Sequence, residues 1–387
     1  MENKVTTKIS KLFPHFVWER LANIDWVLFV SAVLIAFGGL VTMNSFVEEQ
    51  NHFFEKQIIW ISISIVLFLV VSFFDFRFLR RTGVVVLIFI VSCAVLSSLF
   101  VVGHISKGAQ SWFSLGSFSV QPSDLAKLVL ILVLAKYFTR RHVEIAHIRH
   151  ILVSGIYAFV LFFLILLQPD FGGAIIIFIL WFGMVMVSGI SKKHLTSVVL
   201  IGAIAFCSLW FFVFQDYQKQ RIITFVDPLS DVRGAGYNAY QSMIAVGSGQ
   251  FLGKGVGYGT QSKLKFLPEY QTDFIFAAFA EEWGFVGIIT LFALFGVVIW
   301  RILRNALWGA TNFEMLFGMG VAILFMINFI INIGMNIGLL PVTGITLPFM
   351  SYGGSHLIAE FLALGILVGM KKYNRSSYKE SVSLHLQ

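Results

Sequence analysis

The sequence predicts an all-α polytopic membrane protein of about ten transmembrane helices, with a long extracellular loop between helices 7 and 8. Three observations carry that prediction. Of the 387 residues, 58% are hydrophobic and only 12% charged, about half the charged share of a soluble domain. The apolar residues gather into runs of roughly 20, the length that crosses a bilayer as a helix. The basic residues fall in alternate gaps between those runs.

Taken in order, Lys4, Lys8, Lys11 and Arg20 precede a first run near 26–43. No small-x-small cleavage pattern follows it, so it reads as a retained span and not a signal peptide. Further spans lie near 58–75, 82–101, 123–138, 150–168, 171–189, 195–214, 273–300, 314–338 and 349–370. In this register the N-terminus, Arg77/Arg80/Arg81, Arg140/Arg141/Arg149, Lys192/Lys193, Arg301/Arg304 and Lys371/Lys372/Arg375 share one face. The opposite short loops hold little beyond Lys56 and Lys107. The positive-inside rule then makes both termini cytoplasmic and turns the 215–272 loop outward. The division is a cytoplasmic N-terminus at 1–25, one membrane domain at 26–370 and a cytoplasmic tail at 371–387, expected to be disordered after Asn374.

The net charge of +8 would raise nucleic acid as a partner in a soluble protein. Here the basic residues sit in short loops beside apolar runs, which suits an anionic lipid surface and predicts no nucleic-acid partner. Cys93 and Cys207 both lie inside apolar runs, so neither a disulfide framework nor a Cys-based metal site is expected. Two places interrupt the helical pattern. Gln168-Pro169-Asp170 with Gly172-Gly173 introduces the sixth span, and Pro341, Gly344 and Pro348 separate the last two. Non-helical backbone at membrane depth must be buried in protein or line a wet cavity.

The stretch from Arg233 to Phe276 is polar and glycine-rich in a chain that is otherwise apolar. Its last polar residue is Asp273, where the outer loop re-enters the membrane at the start of the eighth span. An aspartate there can cap a helix or act as a general base. Asp124 and Lys127, three residues apart, share one face of the fourth helix near its outer end; at membrane depth such a pair is either functional or an ion pair orienting that helix. Arg233 and Lys254, with Lys263 and Lys265 behind them, lie among glycines that let backbone approach a ligand closely, and are candidate cationic contacts to an anionic substrate. A flexible solvated loop accounts for any one of them equally. Glu281 lies about 80° from Asp273 in helical phase and Glu282 about 180°, so Glu281 either lines the same cavity or pairs inside the bundle. Glu269 is a loop acid of the same stretch.

Three segments resemble a known family. RGAGYNAYQSMIAVGSG, GKGVGYGTQSKLKFLPEYQTDFIFAAFAEEWGFVG and NIGMNIGLLPVTGITLPFMSYGGS are similar to the long outer loop and last helices of the SEDS (shape, elongation, division and sporulation) proteins. KGAQSWFSLGSFSVQPSDLAK and LLQPDFGGA extend the likeness over most of the chain after the third span. LKFLPE with LLPVTGITLPF resembles the RodA-type elongation branch more than the FtsW-type or sporulation branches.

The resemblance implies a peptidoglycan glycosyltransferase of the bacterial cytoplasmic (inner) membrane that polymerises lipid II into a growing glycan strand at the outer face, in cell-wall elongation and rod-shape maintenance. It implies a class B penicillin-binding protein as transpeptidase partner, with other elongation-complex membrane proteins. Within TDFIF it makes Asp273 the catalytic base of an inverting transfer and brings Thr272 and Glu269 to the substrate. It places Lys127 near Asp273 in a cavity with Asp124, and Ser355 of SYGGS beside it. A diphosphate leaving group needs no second carboxylic acid, unlike most glycosidases, but it does need positive charge from Lys, Arg, backbone N–H groups or a divalent cation such as Mg or Mn. No metal ligand set is identified.

The chain departs from the family pattern at Ser111, often Arg, at Gln271, often His, and at Gly173, often Thr. His356 and Glu360 replace small and amide residues, and their spacing of four favours a pair over a metal site. Two rival functions remain: a flippase for lipid II or another polyprenyl lipid, for which buried charges and broken helices are equally expected, and a non-catalytic scaffold for a penicillin-binding protein.

Overall fold

In the computed structural model, residues 24–45, 52–106, 109–115, 118–139, 148–189, 192–212, 216–227, 234–264 and 266–384 are described. Helices occupy all ten predicted span positions: α1 (Trp26–Asn44), α2 (His52–Ser72), α3 (Thr82–Val102), α4 (Pro122–Thr139), α5 (Ile148–Leu166), α6 (Phe171–Val187) and α7 (Lys192–Phe212), then, after α8 (Asp216–Val226), α9 (Ala235–Ser248) and α10 (Thr260–Lys263) in the outer segment, α11 (Ile275–Leu307), α12 (Asn312–Asn336) and α13 (Gly354–Leu384). Among the described residues seven of these are long and apolar enough to cross a membrane. α4 carries Asp124, Lys127 and Lys136, and α6 is apolar but only 17 residues long.

Three features differ from expectation. Between α3 and α4 a small antiparallel sheet forms from β1 (His104–Ser106), β2 (Ala109–Leu115) and β3 (Phe118–Val120), with Phe113 opposite Val120 and Ser114 opposite Ser119. The 215–272 loop, given no secondary structure from the sequence, contains α8, α9 and α10. The helix α13 continues to Leu384 where disorder was expected after Asn374; residues 375–384 contain neither Pro nor Gly to stop it.

Of the seven membrane-length helices, α12 and α13 are the most buried. Glycines let α13 lie close to α2 and the connection after it: a Cβ at Gly354 would run into the Trp60 ring of α2, and one at Gly369 into Phe76 just beyond that helix. This is the close approach that small residues permit between membrane helices.

Ionic clamps tie the end of the bundle opposite the sheet. Asp25 caps α1 by accepting from Leu28 N–H at 3.2 Å. It also receives Arg301 Nη2 at 2.6 Å, Arg301 Nε at 2.9 Å and Asn305 Nδ2 at 2.9 Å, all from the end of α11. Arg80 Nε donates to Glu314 at 2.6 Å, joining the α2–α3 connection to the start of α12.

Burial acts to push the Asp25 carboxyl up, but the hydrogen bonds from Arg301 and Asn305 outweigh it and hold it below the usual carboxylate range. A group whose folded-state value is lowered stabilises at neutral pH, and that contribution disappears as the pH falls through the folded value. Asp25→Ala, which strands the Arg301 guanidinium, is expected to cost about 3–5 kcal/mol at pH 7. The difference in Tm from wild type should shrink toward zero in acid; an unchanged Tm at pH 7 would mean that the clamp is idle.

Candidate active site

α11 begins just after Asp273, and a network of asparagines fixes the main chain there. Asn332 Nδ2 donates to the Asp273 carbonyl at 3.0 Å and to the Ile345 carbonyl at 2.7 Å. Asn336 Nδ2 donates to the same Asp273 carbonyl at 3.1 Å, while its Oδ1 accepts from Ala277 N–H at 3.2 Å. Asn332 and Asn336 are fully buried, so these bonds satisfy the Ala277 N–H that the start of α11 leaves without a helical partner and the carbonyls of Asp273 and Ile345 in non-helical backbone. The Asp273 carboxylate lies against Gly344, where a Cβ would stand 3.6 Å from Oδ2 and where φ is +75°. A side chain at 344 would be strained as well as intrusive.

The 343–352 segment is the non-helical backbone that Pro341, Gly344 and Pro348 predict. It faces two ways. Toward Asp273, Ser351 Oγ donates to the Thr272 carbonyl at 2.8 Å and Tyr352 N–H to the Gln271 carbonyl at 2.8 Å. Toward α13, Phe349 N–H donates to Glu360 Oε2 at 2.8 Å, and Phe349 takes a φ of +64°. That turn delays α13 to Gly354, five residues beyond the predicted start of the span.

Asp124 and Lys127 lie side by side on the first turn of α4, 2.9 Å apart and both buried. Ser355 Oγ donates to the second Asp124 oxygen at 3.2 Å. His356 Nε2 lies 2.8 Å from Glu360 Oε1, with Nδ1 3.8 Å from Asp124 Oδ1. A cavity is lined by these charged groups with Asn328 and apolar residues of α12. Asp170 caps α6 through Gly173 N–H at 2.8 Å and receives Gln121 Nε2 at 3.1 Å, which ties the start of α6 to the start of α4.

Of the predicted site residues, then, Asp124, Lys127 and Ser355 meet in one cluster, and Thr272 and Asp273 join it through the 343–352 segment. Glu269 and Thr272 form a local turn, Thr272 Oγ1 donating to Glu269 Oε2 at 3.0 Å. Arg233, Lys107 and Lys265 lie outside the described residues. Glu281 follows the pairing alternative: Oε1 receives Lys254 Nζ at 2.7 Å and Thr260 N–H at 2.8 Å, and Oε2 receives Gln261 N–H at 3.2 Å. Both Glu281 and Lys254 thereby anchor the outer segment, and the Lys254 ammonium is committed to Glu281 and to Thr260 Oγ1 at 2.8 Å.

The outer segment docks where α11 is broken. Gly284 takes φ +62° and ψ −162° inside the helix. The backbone groups released there bond the loop: Lys254 N–H to the Glu281 carbonyl at 2.9 Å, Gly255 N–H to the Glu282 carbonyl at 3.0 Å and Phe285 N–H to the Gln250 carbonyl at 3.0 Å. Gly284→Ala forces a side chain into backbone space essentially reserved for glycine, at about 1–3 kcal/mol, and drives its Cβ into Gly253. The expected result is a lower Tm with faster proteolysis across 250–262; wild-type values for both would remove this contact as a determinant.

Residue-level reading missed Asn332, Asn336 and Arg221. The asparagines were visible as a spacing of four in an apolar run, with Asn328 one step earlier. Arg221, on α8, lines a groove with Met243 and Pro341 and donates to the Thr343 carbonyl at 3.4 Å. No local motif marks it.

Fold and site together define a multi-pass membrane protein with a buried charged cavity linked to a carboxylate at the mouth of a broken-helix segment. The chain belongs to the FtsW, RodA and SpoVE family of cell cycle proteins, whose family model matches residues 19–376. It is 35% identical over 358 residues to the peptidoglycan glycosyltransferase MrdB of Escherichia coli K12, covering 92% of this chain and 96% of that protein. It is 33% identical over 357 residues to the stage V sporulation protein E of Bacillus subtilis, covering 92% and 97%. Among solved structures, the rod shape determining protein RodA of Thermus thermophilus superposes with a TM-score of 0.68 at 30% identity, covering 90% of this chain and 96% of that one. A chain of a peptidoglycan synthase complex that coordinates polymerization and crosslinking superposes with a TM-score of 0.77 at 29% identity, covering 90% and 98%.

Proposed function

We infer that this chain is a peptidoglycan glycosyltransferase of cell-wall synthesis, and propose that it polymerises lipid II by inverting transfer with Asp273 as general base. The observation that carries the reading is the Asp273 carboxylate resting against Gly344, on a segment whose other side is bonded to the helix that contacts the Asp124–Lys127 pair.

In the reaction, an acceptor sugar hydroxyl attacks the anomeric carbon of the donor as the lipid diphosphate leaves from the opposite face. Asp273 takes the hydroxyl proton as the new bond forms. The leaving diphosphate is already a weak base and takes up no proton. Its developing charge is met by cations; Lys127 inside the cavity and Arg221 beside Thr343 are the groups we assign to it. Asp124 and Ser355 hold α4 and α13 in register so that Lys127 keeps its position. Among the described residues no three His, Cys, Asp or Glu side chains are grouped to hold a metal ion; a divalent cation on the diphosphate would be held largely by the phosphate oxygens.

The site faces outward, both termini are cytoplasmic, and the likeness to a synthase complex supports a class B penicillin-binding protein as partner. The RodA-type segments favour an elongation role. The deciding experiment incubates the purified full-length chain, alone and with a class B partner, with lipid II in liposomes and separates glycan strands by length. Polymer is the expected product. Lipid II crossing the bilayer without any polymer would replace this reading with a flippase.

A further inference from the structure

Four ionisable side chains share the buried cavity between α4 and α13: Asp124, Lys127, His356 and Glu360. Lys127 answers Asp124. Glu360, only 3% exposed, is then a second buried carboxylate, and His356 stands between the two acids. Its Nε2 is 2.8 Å from Glu360 Oε1, close enough for an ion pair although not aligned as a hydrogen bond, and its Nδ1 is 3.8 Å from Asp124 Oδ1. A neutral imidazole would turn a lone pair toward one of these carboxylates, whereas an imidazolium sets positive charge between the two. Among the groups lining the cavity, two carboxylates, an ammonium and an imidazolium sum to zero, which is the condition on which a low-dielectric site tolerates four such groups; Asp170, the other acid acting on Lys127, is capped by Gly173 N–H and answered in turn by Arg221.

Glu360 also reaches further. Its other oxygen accepts Phe349 N–H, and the turn so held carries Ser351, which bonds the carbonyl next to Asp273.

We propose that His356 and Glu360 are a charge-compensated pair of positioning residues: His356 keeps Glu360 from competing with Asp124 for Lys127, and Glu360 fixes the turn that seats Asp273. The inference rests on the reading of Asp273 as base with Lys127 in support.

The test is a second-site rescue in the full-length chain with a class B partner, measured as polymerisation of lipid II. His356→Gln leaves Asp124 and Glu360 to one ammonium and lowers kcat by about tenfold or more, with KM changed by less than about twofold. Adding Glu360→Gln removes the surplus charge and keeps an oxygen for Phe349 N–H. The double variant returns to within about threefold of wild type. A packing role requires the opposite, a double variant at least as impaired as His356→Gln. Wild-type turnover in His356→Gln, or no recovery in the double, overturns the proposal. If His356→Gln does not fold, thermal unfolding of the double decides in the same way: a restored Tm supports the pair and a lost one overturns it. An Asp273→Asn control keeps the two readings apart, because activity there removes the base while the rescue in Tm stands or falls alone.

Discussion

Asp273→Asn is expected to lower glycan-strand synthesis from lipid II by about 10²–10⁴-fold, the usual contribution of a positioned general base. Asparagine keeps the shape of the side chain but cannot accept the proton of the attacking hydroxyl. Asn332 and Asn336 grip the residue by its main-chain carbonyl, which the substitution leaves in place, so the start of α11 keeps its anchor. The variant should therefore stay folded, bind a class B partner and yet make almost no strands in a single-turnover assay. Undiminished polymerisation would remove Asp273 as the base.

Lys127→Ala should cost about 10²-fold or more in turnover, the scale for losing one charge-stabilising group in a site closed to water. Two effects combine. The cation assigned to the leaving diphosphate is gone, and the buried Asp124 retains the Ser355 hydroxyl and the more distant His356 in its place. Because a buried carboxylate that loses its cation also destabilises the bundle, turnover must be compared with Tm. If turnover stays at the wild-type level while Tm falls, Lys127 is only an ion-pair partner for α4.

Much of this molecule was legible in the sequence because each cue was local. The ten helices could be read from apolar runs, and Asp124, Lys127 and Asp273 stood out as charges where charge is expensive. Ser355 came with the SYGGS segment. What could not be read depended on contacts across long sequence separations. Nothing near Glu360 indicates that it closes a turn eleven residues back at Phe349. Helical phase counted Glu281 from Asp273 as one continuous helix, without the loop that folds over it and takes both its oxygens. The sheet at 104–120 escaped because its strands are only three to seven residues long. Gly284 escaped for another reason: one glycine in an apolar run is usually tolerated in a helix, and only the backbone of residues 250–255 arriving alongside makes it a break.

That break has a mechanical consequence. Between Asp273 and Gly284 the chain is a short rigid bar, pinned at one end by the asparagines of α12 and at the other by the loop strapped across the bend. The loop at residues 250–255 and the main chain of Asp273 are thus fastened to opposite ends of one buried helical element, so the position of each is set relative to the same ten residues.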